Sequence, residues 1–321
     1  MIRFILRRLA IFPLALFLVN LFGFAYARFA RYVQAGRNPY IAVGDIPEPF
    51  LPSYQAYLRT ALDGFGSMPT AKGISILEML GPATKASLGL LLLAFSIALV
   101  VGFLLGYFAT RNNPPSIAGW LVPITTVGMA MPSFYVGSLL ITFTVFLALR
   151  GLSGKGFILP ISGFGWDEHI IYPAIALALR PTVQIAQITA VLLSNELGQQ
   201  YITVSRSLGN TWMRIRTHHA MRNVLPPLVL SLAGNLRYTI VELILIETLF
   251  SWNGLGRLLS QTLIPPAVAT VSRSALASPI YLYAPLVATL LTVFGLFFLI
   301  TDLLASAAAS AADPRLHVGA E

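Results

Sequence analysis

Apolar positions run in long blocks along this chain. Stretches 9–27, 86–110, 112–149 and 274–301 contain no Asp, Glu, Lys or Arg. A bilayer core of about 30 Å takes about 20 apolar residues of helix. Six windows reach that length, at roughly 9–30, 86–110, 119–149, 170–194, 226–250 and 284–306, and each predicts a membrane-crossing helix. The first follows Arg3, Arg7 and Arg8. Its apolar run is longer than a signal-peptide core and no clean small-residue cleavage site follows, so it reads as a retained first helix.

Two polar stretches interrupt the blocks. Residues 31–84 are rich in Pro and Gly, with Tyr54 to Leu62 predicted as a short helix lying near the membrane surface. The segment Asn195 to Pro227 is basic, carrying Arg206, Arg214, Arg216 and Arg222 with His218 and His219. Gly209 breaks it in the middle, so two short helices hinged at that glycine are expected. Pro132 and Gly137 inside the third window would kink a helix and let backbones approach.

Composition narrows the class. Of 321 residues, 56% are hydrophobic and 10% charged, against about 25% charged in a soluble domain. The chain is therefore an integral membrane protein. Its net charge of +9 does not point to nucleic acid, because Lys and Arg flank membrane spans and orient them. The arginines before the first span place the N-terminus in the cytoplasm. Six spans then place the C-terminus and residues 195–225 on the same side. With no cysteine, disulfides and thiolate metal sites are excluded.

The chain carries no signature of bond chemistry. It has no H-E-x-x-H and no G-x-S-x-G. His169, His218, His219 and His317 are not arranged as metal ligands on one helix face. Gly154-Lys155 is followed by Gly156 in place of the Ser or Thr of a phosphate-binding loop. No catalytic or metal-ligating residue is expected, and an ATP-driven activity would need a separate ATPase.

The basic segment resembles the cytoplasmic coupling loop of ABC importer permeases of the dipeptide/oligopeptide/nickel branch. The resemblance rests on Tyr201, Ile202, Ser205, Arg206 and Gly209, then on His219, Ala220, Met221, Arg222, Asn223, Leu225 and Pro227. Further strings follow the family's order: Asp63 to Ser67, Pro82-Ala83-Thr84, Met131 to Gly137, Leu159 to Gly163, Glu247 to Gly256, and Asp313-Pro314-Arg315. There are departures. Thr203-Val204-Ser205 stands where the general consensus has Glu-Ala-Ala, Leu208 replaces a usual Lys, and Asn253 replaces a proline. Asp302 to Asp313 is eleven residues, four more than usual, which is about one helical turn.

The resemblance implies an all-α integral membrane fold of six transmembrane helices, the type I ABC importer permease (MetI-like) fold. Residues 1–30 would be the cytoplasmic anchor and first helix, and 31–84 the extracytoplasmic segment. Residues 85–312 would form the transmembrane domain, and 313–321 a cytoplasmic tail. It implies a transport subunit for di- or oligopeptides in a bacterial or archaeal inner membrane. A second homologous permease, two cytoplasmic ABC ATPases and an extracytoplasmic binding protein would be its partners, with membrane lipid around it. This chain would hold no cofactor, since ATP and Mg belong to the ATPases. Coupling residues would be Tyr201, Ser205, Arg206, Gly209, Trp212, Arg214, Arg216, His219, Arg222 and Asn223, with Leu208, Met213 and Ile215 as further apolar anchors. An amphipathic helix on the membrane surface is the alternative for that segment. Glu247 and Phe250 match a region near the outer gate, although Glu247 would also suit a helix-to-loop cap. Nickel is the alternative cargo. A passive channel or secondary transporter is the more distant reading, and the chain shows no convincing internal repeat.

Three intramembrane charges are not explained by the resemblance. Arg180 lies about ten residues into the fourth window, and Arg237 and Glu242 lie in the fifth. A charge at the bilayer centre costs about 2.5–3.5 kcal/mol or more, so such groups pair or face a water-filled path. Arg180, Arg237 and Glu242 are expected to line the translocation path, with an ion pair of Arg180 and Glu242 that binds the two helices together as the alternative.

Overall fold

The computed structural model describes residues 2–37, 49–64, 75–151, 157–264 and 280–312. These are helical almost throughout, with one short hairpin. The reason is the solvent. Lipid offers no partner to backbone N–H and C=O groups, and a helix satisfies them internally. The long helices are α1 (Ile2–Arg37), α3 (Ile76–Ala109), α6 (Ile171–Leu197), α9 (Met221–Leu249) and α11 (Ala284–Ala312). Five stretches, Ile11–Gln34, Ile76–Ala109, Glu168–Leu197, Trp212–Leu249 and Ala284–Ala307, are long and apolar enough to cross a bilayer.

The third window departs from a single kinked helix. It forms α4 (Leu121–Ala130) and α5 (Ser133–Leu149), bent by 95° at the break between them. Met131 is extended, with φ −88° and ψ 117°. Pro132 follows at ψ 147°. Proline has no N–H to give the helix and drives the residue before it out of the helical region. Gly137 takes no part in the bend. It admits the Leu249 and Phe250 side chains, which would lie 2.7 and 2.9 Å from a Cβ there.

The chain divides into two units. In the unit Met1–Leu88 with Trp252–Leu299, helix α2 (Phe50–Leu62) docks on α1 and α11. Its Tyr54 and Tyr57 are buried with Phe24 of α1 and Ala288 of α11. Phe24 stacks on Tyr57 at 5.3 Å and meets Tyr54 edge-on at 5.1 Å. Asn20 donates to the Tyr57 hydroxyl at 2.8 Å and to Thr292 Oγ1 at 2.9 Å, and accepts from Tyr54 at 3.0 Å. These bonds satisfy an amide that lipid would leave unpaired. Helix α10 (Leu255–Leu263) starts at a fixed point, where Trp252 Nε1 donates to Ala86 O at 3.0 Å and Leu255 N to Ser87 Oγ at 2.7 Å.

In the unit Gly89–Ser251 with Ile300–Glu321, α6 packs on α3, α4, α5 and α9. Glycines of α3 and α4 set the approach. A Cβ at Gly106 would lie 2.4 Å from Ala186 O, one at Gly102 2.6 Å from Thr182 O, and one at Gly128 2.9 Å from Val183 Cγ1. After α3, strands β1 (Thr110–Asn112) and β2 (Pro115–Ile117) pair antiparallel, with Arg111 opposite Ser116. Gly106→Val should therefore cost about 2 kcal/mol by forcing α3 off α6. Thermal unfolding of the detergent-purified protein measures it, and a variant that melts with the wild type would refute the contact.

Candidate functional site

The basic segment folds as a capped knob. Helix α7 (Gln200–Ser207) ends at Leu208, and Gly209 adopts φ +83°. Gly209 N donates to Arg206 O at 3.0 Å and Asn210 N to Ser205 O at 3.3 Å. These are the two bonds of a glycine-terminated helix, and residues with a side chain pay for that left-handed φ. Asn210 Nδ2 adds bonds to Ser205 O and Oγ, both at 3.1 Å. Thr211 then caps the next turn, α8 (Trp212–Arg214), through its hydroxyl. One wide π-turn, Ile215–Ala220, joins α8 to α9.

Side chains bolt the knob to the bundle. Tyr201 donates to the Glu196 carboxylate, and Asn223 Nδ2 donates to the same oxygen at 2.7 Å. One acidic group thus ties the end of α6 to α7 and α9. Burial, then the Glu196 carboxylate, pushes the Tyr201 phenol above its ordinary pKa. Ile202, Ile215, Ala220, Met221 and Val224 are buried with Leu193 and Leu197 of α6. Arg216 donates to the Tyr107 and Thr110 carbonyls at the end of α3, and its guanidinium lies 4.2 Å from the Tyr107 ring centre.

The expected coupling residues are thereby divided. Tyr201, Arg206, Gly209, Arg214, His219, Arg222 and Asn223 are exposed, Trp212 is half-buried and Ser205 is buried under Asn210. Arg206 spends its charge locally, donating to Asn210 O at 2.9 Å and covering Trp212 at 5.2 Å. Three residues depart from expectation: Ser205 is buried, Ile215 is buried in the chain's own core, and Arg216 is committed to α3. The free apolar face instead comprises Val204, Leu208 and Met213 beside Tyr201. Leu208 is 77% exposed and Met213 72%.

The intramembrane charges form two separate pairs. Arg180 Nη1 of α6 reaches Glu242 Oε1 of α9 at 2.7 Å, with side-chain exposures of 28% and 12%. Glu242 also accepts from Ser133, the first residue of α5 after the break. Tyr238 lies over the Arg180 guanidinium at 5.6 Å. Arg237 is elsewhere, bonded to Asp302 of α11 at 2.6 Å. Glu247 is wholly buried, and Phe250 is buried against Gly137, its carbonyl accepting from Gly163 N at 2.8 Å. No group of three or more His, Asp or Glu suited to a metal occurs among the described residues. The strings at 65–67, 154–156 and 313–315 and the side chains of Arg3, Arg7, Arg8 and His317 lie outside the described residues.

Sequence reasoning missed Glu196, Ser133 and Tyr238. Glu196 had a usable signal, as an acidic residue at the end of an apolar window and five positions before Tyr201. Ser133 had none, since nothing local marks a serine as a partner for position 242.

Residues 98–318 match the family described as "Binding-protein-dependent transport system inner membrane component". The chain is 28% identical to the dipeptide transport system permease protein DppB of Escherichia coli K12, over 82% of this chain and 88% of that protein. It is 25% identical to the putrescine export system permease protein SapB of the same strain, over 85% and 89%. Among solved structures it resembles the MetNI methionine ABC transporter in an inward-facing conformation. The TM-score is 0.55, at 18% identity, over 73% of this chain and 96% of that one. That likeness shows the fold, an all-α bundle in which, among the described residues, five helices and one broken pair are long and apolar enough to cross a membrane.

The Arg180–Glu242 bond predicts non-additive stability. Arg180→Leu or Glu242→Leu alone leaves one charge without its partner and should cost about 3 kcal/mol, while the double variant should recover most of the loss. Unfolding midpoints of the four proteins in detergent measure the coupling. Losses that simply add in the double variant would show that the pair is not coupled.

Proposed function

The chain belongs to the family of binding-protein-dependent transport system inner membrane components, and on that premise we propose that it is one permease subunit of an ATP-driven peptide importer. The names of its relatives DppB and SapB support a transport role, and DppB supports peptide as the cargo. The chain itself makes and breaks no bonds. It forms half of a pathway with a second, similar permease, in a multi-pass inner-membrane complex. Both of its termini and the knob lie on the cytoplasmic side, where ATPase subunits bind. A binding protein delivers solute on the opposite face.

The observation that carries this reading is the knob. Val204, Leu208 and Met213 are exposed together at the tip of a basic loop. Exposed apolar groups rimmed by polar ones mark contact surfaces. Tyr201 and the exposed arginines supply the aromatic and charged anchors that dominate interface energy. The proposed motion follows from how the knob is held. When ATP draws the ATPases together, α7 and α8 move as one capped body. Glu196 passes the pull to α6 and α9, and Arg216 passes it to the end of α3. The helices then shift between inward-open and outward-open arrangements, and hydrolysis resets them.

Co-purification with the co-expressed ATPase subunits tests the reading. Leu208→Asp combined with Met213→Asp should reduce retained ATPase at least tenfold, as should Gly209→Pro with Arg206→Glu. Failure of the wild type to retain any ATPase, under conditions that preserve membrane complexes, would overturn the importer assignment in favour of a channel or a secondary transporter.

A further inference from the structure

Two rows of polar side chains run along α6 and α9. On α6, Arg180, Gln184 and Gln187 are spaced four and three apart and fall within about 60° around the helix. On α9, Asn235, Tyr238 and Glu242 share an arc of about the same width. The helices are antiparallel, since the bonds Arg180–Glu242 and Glu196–Asn223 join rising numbers on α6 to falling numbers on α9. At about 1.5 Å of rise per residue on each helix, Gln184 comes level with Tyr238 and Gln187 with Asn235. The opposite side of α6 is the one closed by Gly102 and Gly106 of α3. The polar row therefore faces away from that packing.

The chain does not satisfy this row. Arg180 Nε, Gln187 Oε1 and Asn235 Nδ2 are buried without a hydrogen-bond partner, although native structures pair nearly all such atoms. Arg180 spends Nη1 on Glu242. That leaves Nε and Nη2, the edge of a guanidinium that grips a carboxylate with two parallel bonds. Gln187 lacks a donor and Asn235 lacks an acceptor. An amide group, with one N–H and one C=O, supplies both. Tyr238, beside the row, is 59% exposed.

We propose that this row is a solute-binding face that selects molecules bearing a carboxylate and amide groups. The carboxylate sits on Arg180, and the amides sit on Gln187 and Asn235. The inference rests on the importer reading and names the side chains that such a cargo would meet on its way through. Glu242 holds Arg180 in place and keeps the site neutral when it is empty.

The test uses the complete complex in proteoliposomes, with its ATPases and saturating binding protein. Two radiolabelled tripeptides are compared, one a free acid and the other amidated at its C-terminus. A benzophenone-bearing phenylalanine in place of Tyr238 captures, under light, any peptide passing the row. The free acid should be captured during ATP turnover, and the amidated peptide at least fivefold less. Gln187→Leu and Asn235→Leu should each reduce capture and uptake of the free acid about fivefold. Exchanging the two amides, Gln187→Asn with Asn235→Gln, should restore most of it. The comparison of the two peptides needs no change at 187 or 235, so it decides the matter even where those variants fail to assemble. Equal capture of both peptides overturns the proposal, as does uptake without capture, which would mean that water alone fills the row. If the wild-type complex shows no ATP-dependent uptake of either peptide, the importer reading itself falls and the row falls with it.

Discussion

The close approach of α3 and α4 to α6 is the constraint on which the larger unit depends. Lipid removes the hydrophobic drive that would press helices together in water, so association rests on packing and on the few polar bonds available. Gly102, Gly106 and Gly128 give up their side chains at the contacts with α6, and the backbones come near enough for dense packing. α6 is accordingly the most buried of the crossing helices. With the α3 side of α6 filled, its polar row lies on the opposite side, where Arg180 meets Glu242 of α9.

The loop between α6 and α9 is built against bending. A helix that ends at a left-handed glycine with both closing bonds made, followed by a side-chain cap on the next turn, has little freedom left. Glu196 and Arg216 then fix the capped pair to three helices of the bundle. The tip of the loop, at Leu208 and Met213, is thereby tied to α3, α6 and α9. The π-turn at Ile215–Ala220 is the irregular element in this linkage. Such wide turns within helices are frequent at functional sites, and this one carries Arg216.

Reading the chain as a string was most successful where the physics is local. The apolar windows foretold helices, because a backbone in lipid has no other way to satisfy itself. Gly209 foretold the break in the loop, because glycine takes a left-handed φ at little cost. Pro132 foretold an interruption. The positions of the charges were plain, as was the demand that each find a partner. The order of short strings along the chain was enough to suggest the family.

Only the tertiary structure decided how those pieces meet. Ser133 and Glu242 are 109 residues apart, as are Arg216 and Tyr107, and no periodicity reaches that far. Met213 and Ile215 are both apolar and two positions apart, yet one is exposed and the other buried, because α6 covers only one side of the turn. The 95° bend at Pro132 exceeds what a proline alone requires, and Ser133 just after it meets Glu242 on another helix. The docking of α2 depends on Asn20 and Phe24, which belong to a different apolar block. The sequence by itself determined which segments are helical and which groups need partners, since these follow from each residue's own chemistry and its near neighbours. The partners came from the packing of helices that are distant along the chain, which the spacing within a single helix does not encode.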